Sequence, residues 1–292
     1  MKTFRYIVAS MRIQQWIKNL FIFAALIFSG NLFYLIDLYL TIGGFILFSL
    51  VSSGVYLFND IVDIEKDKLH PVKSQRPLPS GKLSPKTAFV VSVVLIVFGI
   101  SISYLLQPNF ALVLLLYLIL NIWYSYQLKT FVILDVMTIS AGFVMRVIGG
   151  AIIIGVPTSE WLIICTILLS LFLGFSKRRH ELLILERHAN THRPVLEHYS
   201  PYFLDQMIGI VTATTVMSYA LYTISEETIH KFGTKNLIYT VPFVLYGIFR
   251  YLYLVHKKEG GGNPTKIMVT DPPLIVNLIL WIVSAIIIIY GK

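Results

Sequence analysis

Residues 39–67 read YLTIGGFILFSLVSSGVYLFNDIVDIEKD, an apolar run that ends in a cluster of carboxylates. A helix needs about 20 mostly apolar residues to cross a bilayer, and residues 39–58 supply such a run. Asp60, Asp63 and Asp67 follow at once, where such a helix leaves the apolar layer. The stretch therefore predicts a membrane-spanning helix with polar chemistry at its mouth.

The composition of the whole chain also indicates a membrane protein. Of the 292 residues, 56% are hydrophobic and 13% are charged, and the mean hydropathy is +0.75. A soluble domain has about 25% charged residues, so this chain cannot cover its surface with polar groups. Nine apolar runs have the length of a membrane span, at about 18–37, 39–58, 86–106, 109–126, 132–154, 160–177, 206–225, 236–255 and 273–291. Strand periodicity is absent, so the predicted fold class is all-α, a polytopic membrane bundle of nine transmembrane helices in one domain, 1–292.

The net charge of +9 comes from cations that lie between the apolar runs. Most of the 24 lysine and arginine residues fall on one side of the predicted bundle, and the positive-inside rule makes that side cytoplasmic. The N-terminus is then cytoplasmic and the C-terminus lies outside. Three long cytoplasmic loops, at about 59–85, 178–205 and 256–272, are the predicted active-site loops, since binding and chemistry concentrate in such loops. The charge pattern thus indicates topology, and nucleic acid is not expected as a partner.

The carboxylate cluster has the spacing of a metal site. Asn59, Asp63 and Asp67 are spaced i, i+4 and i+8, which places them on one helix face, and Asp60 joins the same edge. Oxygen ligands suit Mg²⁺, which uses a few carboxylates together with substrate phosphates. No His or Cys lies nearby at the spacing of a zinc site. We therefore predict Mg²⁺ on these four residues, with the three aspartates catalytic. The alternative is a solvated helix end, in which the carboxylates pair with neighbouring lysines.

The segment N-D-I-V-D-I-E-K-D (59–67) resembles the N-D-x-x-D-x-x-x-D motif of the UbiA superfamily of intramembrane prenyltransferases, which have nine transmembrane helices. Within that superfamily the chain most resembles the decaprenyl-phosphate phosphoribosyltransferase-like members. Six further stretches carry this closer resemblance along the whole chain: QQWIKNLFIFA (14–24), HPVKSQRPLPSG (70–81), YSYQLKTFVILD (124–135), RVIGGA (146–151), SKRRHELLILE (176–186) and RYLYLVHKKEGGGNPT (250–265).

The resemblance implies a Mg²⁺-dependent enzyme. It implies transfer of a 5-phosphoribosyl group from phosphoribosyl diphosphate to a polyprenyl phosphate, with release of diphosphate. The expected location is a bacterial cytoplasmic membrane, with the active site facing the cytoplasm and membrane lipids as partners. The expected role is cell-envelope sugar-lipid synthesis, and a second copy of the chain is a candidate partner in a homo-oligomer.

Residue types and the resemblance together give the substrate-binding candidates. Lysine and arginine suit phosphate, and arginine can bind it through two nitrogens at once. In the Pro-bounded loop, Lys73 and Arg76 form a natural clamp, although a lid that is simply positive-inside is the alternative. The full set of candidates is Lys18, Asn19, Lys73, Arg76, Tyr124, Lys129, Asp135, Arg146, Lys177, Arg178 and Glu181.

Two of these cations have an open interpretation. Arg146 lies deep in a predicted span, where a charge is expensive and usually faces a cavity or a partner. It either meets a phosphate or forms structural hydrogen bonds with helix carbonyls. Lys18 is predicted to face phosphate because of the match around it, whereas composition alone suggests a lysine that reaches to the membrane interface.

The sequence departs from the superfamily in one place. A second D-x-x-x-D motif is expected after the sixth span, and Lys177, Arg178 and Glu181 stand there instead. The departure suits a donor with an extra 5-phosphate but leaves open how the metal is held from its second side. An aromatic prenyltransferase that uses a prenyl diphosphate is the main alternative, and it predicts the missing motif. A membrane transporter is a weaker alternative, because internal repeats and matching broken helices are not evident.

Overall fold

The computed structural model describes residues 2–69, 72–186, 194–257 and 264–291. Within these ranges all regular secondary structure is helical, as predicted, and no strand occurs. Parts of the predicted loops at 178–205 and 256–272 lie outside the described residues.

The first of two compact units holds residues 1–26 and 32–158. Its core helix is α3, which packs against α5, α6, α7 and a long 3₁₀ helix. The elements are α1 (Lys2–Ser10), the 3₁₀ helix (Ile13–Ile22), the start of α2 (Phe23–Ser29), α3 (Leu35–Val62), α4 (Ile64–Lys68), α5 (Pro85–Leu106), α6 (Pro108–Tyr126) and α7 (Leu134–Ile153), with 3₁₀ turns at Lys73–Gln75 and Leu128–Thr130.

The second unit holds residues 27–31 and 159–292. Within it, α8 packs along α9, and α11 packs against α13 and α9. The elements are α8 (Glu160–Glu186), α9 (Pro201–Ile224), α10 (Glu226–Phe232), α11 (Val241–Lys257), α12 (Pro264–Thr270) and α13 (Pro272–Tyr290), with 3₁₀ turns at Pro194–His198 and Asn236–Thr240. The expectation of a single domain stays a prediction.

Eight segments of the described chain are long and apolar enough to cross a membrane, and they match eight of the nine predicted spans. They are Leu35–Val62, Pro85–Leu106, Pro108–Tyr126, Leu134–Ile153, Glu160–Leu183, Pro201–Ile224, Asn236–His256 and Pro272–Tyr290. Large apolar side chains such as Phe89, Val93 and Val97 of α5 are exposed along them, as a lipid solvent requires. The protein is an integral, multi-pass membrane protein.

The segment predicted as the first span, 18–37, is not one long helix. The 3₁₀ helix continues into α2, and Gly30, with φ +91°, turns the chain before α3 begins. The two helical pieces have a combined rise of roughly 30 Å, close to the thickness of the hydrocarbon layer. Apolar length predicts the extent of this segment but not its helix type. The ninth crossing and the cytoplasmic N-terminus stay predictions.

Close packing of α7 on the 3₁₀ helix depends on Gly150. A Cβ atom at this position would lie 2.1 Å from the carbonyl oxygen of Ile22, far inside contact distance. Helix association in lipid relies on such close approach at small residues, because lipid is as apolar as the side chains themselves. About one turn earlier on each element, this contact brings Arg146 and Asn19 together.

Candidate functional site

The helix that carries the carboxylates breaks at Asp63. Since α3 ends at Val62 and α4 begins at Ile64, Asp63 lies between two helices, with φ −96° and ψ 8°. The prediction of one continuous helical edge is therefore wrong. Asp60, near the end of α3, and Asp67, within α4, are buried, with 2% and 4% of their surface exposed.

Arg76 joins these two buried carboxylates. Its Nη1 atom donates to Asp67 Oδ2 at 2.8 Å and to Asp60 Oδ1 at 3.2 Å. In the same loop, Lys73 places Nζ 3.4 Å from Asp67 Oδ1. Hydrogen bonds between charged groups are stronger than neutral ones, so these contacts hold the loop against the carboxylates. The predicted phosphate clamp thus lies directly on two predicted metal ligands.

Arg12 is a site residue that sequence reasoning does not single out. Its Nη2 atom donates to Asp60 Oδ1, and its guanidinium carbon lies 5.1 Å from the centroid of the Tyr56 ring. Its φ of 52° and ψ of 53° fall in the left-handed region, which is uncommon for residues other than glycine. Burial, followed by the nearby Arg12 charge, lowers the pKa of the Arg76 guanidinium. Arg12 is thus a further cation, beside Lys73 and Arg76, at the two buried carboxylates.

The other two predicted metal ligands have different partners. Lys129 Nζ donates to Asp63 Oδ1 at 2.6 Å, so this lysine lies against the aspartate segment. Its substrate-binding role stays a prediction. Ser125 Oγ donates to Asn59 Oδ1. The last turn of α6 and the 3₁₀ turn after it therefore hold Asp63 and Asn59, whereas Asp60 and Asp67 face Arg76.

The segment before α7 carries a strained residue. Ile133 has φ 68°, an outlier for a β-branched side chain, and the Leu134 N–H donates to the Val132 carbonyl in a tight turn. Asp135 follows in the first turn of α7 and is fully buried. Tyr124, in the last turn of α6, is half-buried. Strain of this kind persists only where surrounding contacts enforce it.

Arg146 is the centre of a second, fully enclosed cluster. Its Nε donates to Asn19 Oδ1 at 2.7 Å, Nη1 to the Gly142 carbonyl at 2.6 Å, and Nη2 to the Tyr117 hydroxyl at 3.1 Å. The rings of Phe48 and Tyr117 lie 4.9 Å from the guanidinium carbon. These contacts match the structural alternative for Arg146, including its bond to a helix carbonyl. They also engage the amide of Asn19, which is buried.

Lys18 differs from Arg12, Arg76 and Lys129, which all bind carboxylates. It is half-buried, and no hydrogen bond or ion pair to it occurs in the part of the chain that the structure describes. Arg146 and Arg12 are close enough to act on its ammonium group electrostatically. A half-buried ammonium beside two guanidinium groups attracts an anion, so Lys18 keeps its place as a phosphate candidate.

The second unit holds the remaining three candidates on α8. Arg178 Nη1 donates to Glu181 Oε2 at 2.7 Å, and Lys177 Nζ lies 3.8 Å from Glu181 Oε1. The Arg178 side chain is only 1% exposed, so its guanidinium faces protein. In the same unit Asp205 Oδ2 accepts from Arg179 Nη2 at 3.3 Å. Glu181 and Asp205 are thus both paired with cations of α8.

Two carboxylates of the first unit, Asp60 and Asp67, could bind Mg²⁺ together with a phosphate. Across the described residues, no group of three or more His, Cys, Asp or Glu side chains could hold a metal ion. Mg²⁺ commonly takes only one or two carboxylates and completes its shell with water and substrate phosphate. Asp60 and Asp67 converge on a single nitrogen atom of Arg76, a point that another cation can take. The pair therefore fits a Mg²⁺ ion that arrives with phosphate.

Comparisons with known proteins identify the family of the chain. The model of the UbiA prenyltransferase family matches residues 19–270. The decaprenyl-phosphate phosphoribosyltransferase of Corynebacterium glutamicum is 31% identical over 97% of this chain and 86% of its own length. The enzyme of that name from Mycobacterium tuberculosis is 30% identical over 95% of this chain and 92% of its own.

Solved structures share the fold. A UbiA homolog from Archaeoglobus fulgidus, bound to GPP and Mg²⁺, superimposes with a TM-score of 0.73 over 97% of this chain and 99% of that one. The sequence identity of this pair is 18%, so the likeness concerns the fold alone.

Proposed function

Since the chain belongs to the UbiA prenyltransferase family, we propose that it is a phosphoribosyltransferase of that family. It transfers the 5-phosphoribosyl group of phosphoribosyl diphosphate to a polyprenyl phosphate, releases diphosphate and depends on Mg²⁺. The active site faces the cytoplasm of a bacterium, and the product enters cell-envelope sugar-lipid synthesis. Membership of the family makes the chain a transferase; the donor, acceptor, metal and location are the proposal.

The observation that carries this proposal is the similarity to proteins named decaprenyl-phosphate phosphoribosyltransferase. It extends over 97% of the chain at 31% identity, so the matched length spans every segment of the proposed site. The sequence supports the same donor, because Lys177 and Arg178 stand where a second aspartate motif is expected. The 5-phosphate of such a donor needs cations, and the contacts of Lys177 and Arg178 with that phosphate stay predictions.

The donor's diphosphate binds at the buried carboxylate pair. Asp60 and Asp67 would hold Mg²⁺, and Lys73 and Arg76 would bind the phosphate oxygens. When bound there, the ion would supply positive charge to neutralise the leaving diphosphate. Arg12 positions Asp60 through its guanidinium.

The acceptor phosphate binds at Lys18. This lysine has no protein partner in the described chain, whereas Arg12, Arg76 and Lys129 all bind carboxylates. In the reaction, the bond between C1 of ribose and the diphosphate oxygen breaks, and the electron pair leaves with diphosphate. An acceptor phosphate oxygen forms the new bond to C1. Because that oxygen is already anionic, the site needs no general base, and catalysis rests on positioning and charge neutralisation.

The test uses the purified full-length chain in detergent. It is incubated with phosphoribosyl diphosphate labelled in the ribose, a polyprenyl phosphate and Mg²⁺. We expect label in the organic phase, and we expect chelation of the metal to stop its transfer. No labelled lipid, together with transfer of a prenyl group from a prenyl diphosphate to an aromatic acid, would identify an aromatic prenyltransferase and overturn the proposal.

A further inference from the structure

The two aspartates are already paired with positive charge. Within the described residues, Arg12 and Arg76 bind Asp60, and Arg76 and Lys73 contact Asp67, so both carboxylates are offset by cations. One nitrogen atom of Arg76 bonds both carboxylates, at 2.8 and 3.2 Å. It therefore lies at the point where a shared metal ion would bind.

We propose that Arg76 competes with Mg²⁺ for Asp60 and Asp67, and that it leaves them only when a diphosphate arrives with the metal. This inference rests on the proposed function for its substrate. A lone Mg²⁺ would add two positive charges where both carboxylates are already paired with cations, and it would displace a guanidinium for which the described residues offer no other anion. A diphosphate removes both obstacles, because it brings negative charge and offers the planar guanidinium a two-point partner.

The loop geometry makes Arg76 the cation that moves. Leu78 and Leu83, just after it, are buried against Leu57 and Ala88 and fix the backbone of the loop. The Arg76 side chain itself is 32% exposed, so it can turn toward a ligand from solvent without moving the loop.

Arg12 and Lys73 are less suited to this exchange. Arg12 contacts Asp60 alone and is also held against the ring of Tyr56. Of the two carboxylates, Lys73 approaches Asp67, and at the longer distance of 3.4 Å. Among the cations of the described residues, Arg76 is the one that bonds both carboxylates, so its departure opens the point that the two share.

The experiment measures binding of Mn²⁺, which takes the same oxygen ligands and whose free concentration is read by electron paramagnetic resonance. The full-length protein in detergent is titrated with Mn²⁺ alone and with Mn²⁺ plus inorganic diphosphate, and a protein-free titration corrects for metal held by diphosphate. For Arg76→Gln we expect binding of Mn²⁺ alone to tighten at least about tenfold, the effect that one neighbouring charge has on proton binding by a carboxylate. Lys68→Gln, which removes an exposed cation paired with Glu65, should leave the affinity unchanged.

In the alternative, Arg76 has only a structural role and holds the loop against the two aspartates. In that case the Arg76→Gln variant has the same affinity for Mn²⁺ alone as the wild-type protein, and this result would overturn the proposal. If the variant does not fold, the same titrations of the wild-type protein test the proposal. The exchange requires that diphosphate tightens the binding of Mn²⁺ and that Mn²⁺ tightens the binding of diphosphate by the same factor. Independent binding of the two contradicts the exchange. Since prenyl donors also carry diphosphate, coupling without phosphoribosyl transfer would refute the proposed function and leave this inference standing.

Discussion

Asp67 and Asp63 belong to one sequence motif but have different surroundings. Asp67 is buried and bonded to Arg76, whereas Asp63 is more exposed and bonded to Lys129. We expect Asp67→Asn to lower the turnover number at least about 100-fold, as loss of one strong electrostatic group at an active site does. Asp63→Asn should cost clearly less, because its carboxylate does not share Arg76. The measurement is the rate of label transfer by purified, folded variants.

The control for this comparison is Glu65→Gln. Glu65 lies between the two aspartates in sequence, but its side chain is exposed and pairs with Lys68 on the surface. Its variant should have wild-type activity. Equal losses for Asp63→Asn and Asp67→Asn would show that the division between the two carboxylates has no functional meaning.

Single residues of the site were predictable when their chemistry was unusual for their place. Carboxylates at the end of an apolar run and Arg146 within one stand out in any such chain. Arg12 does not, because one more cation before an apolar run is what topology alone requires. Its role depends on a contact across 48 residues and on a left-handed backbone, and neither has a signature in the local sequence.

At the scale of elements, the cluster around Arg146 depends on the close contact between α7 and the 3₁₀ helix. Gly150→Ala puts a methyl group 2.1 Å from the carbonyl oxygen of Ile22, so the two elements must separate. We expect a loss of about 1–3 kcal/mol, the usual cost of overpacking. The loss should be visible as a lower melting temperature in detergent.

A matched control lies in the same unit. Gly43 is in α3, and a Cβ atom there would meet nothing within 4 Å. Gly43→Ala should therefore leave the melting temperature unchanged or raise it slightly, since alanine is the better helix former. If the two variants behave alike, the close approach at Gly150 does not limit stability.

Helices were easier to predict than the details of their ends. Length and hydropathy identify eight spans because lipid demands them. The same argument does not distinguish a 3₁₀ helix from an α-helix, and it fails at Ile13–Ile22. Nor does it place the break at Asp63, where a change of backbone conformation separates Asp67 from the edge of α3. These features depend on packing partners that the sequence does not name.

At the scale of the whole molecule, the sequence predicts a cytoplasmic N-terminus and nine crossings, and the contacts of the first segment bear on the ninth. The 3₁₀ helix and α2 run antiparallel to α3. Arg12, at the start, contacts Asp60, and Phe23, further on, has its ring 5.8 Å from that of Phe45. The segment therefore follows α3 for about 22 Å at 1.5 Å per residue. Since α3 is long enough to cross the membrane, we expect this partner to cross it too.

Labelling of introduced cysteines tests both the orientation and the ninth crossing. The background is Cys165→Ser, which removes the single native cysteine, and Thr3→Cys, Lys68→Cys and Lys231→Cys each add one at an exposed position. Five candidate spans separate Lys68 from Lys231, so these two must lie on opposite sides. With an impermeant maleimide on intact cells, we expect Lys231→Cys to react and Lys68→Cys to react only after permeabilisation. Thr3→Cys behaves like Lys68→Cys if Ile13–Ser29 crosses, and like Lys231→Cys if α3 is the first span, which would refute the ninth crossing.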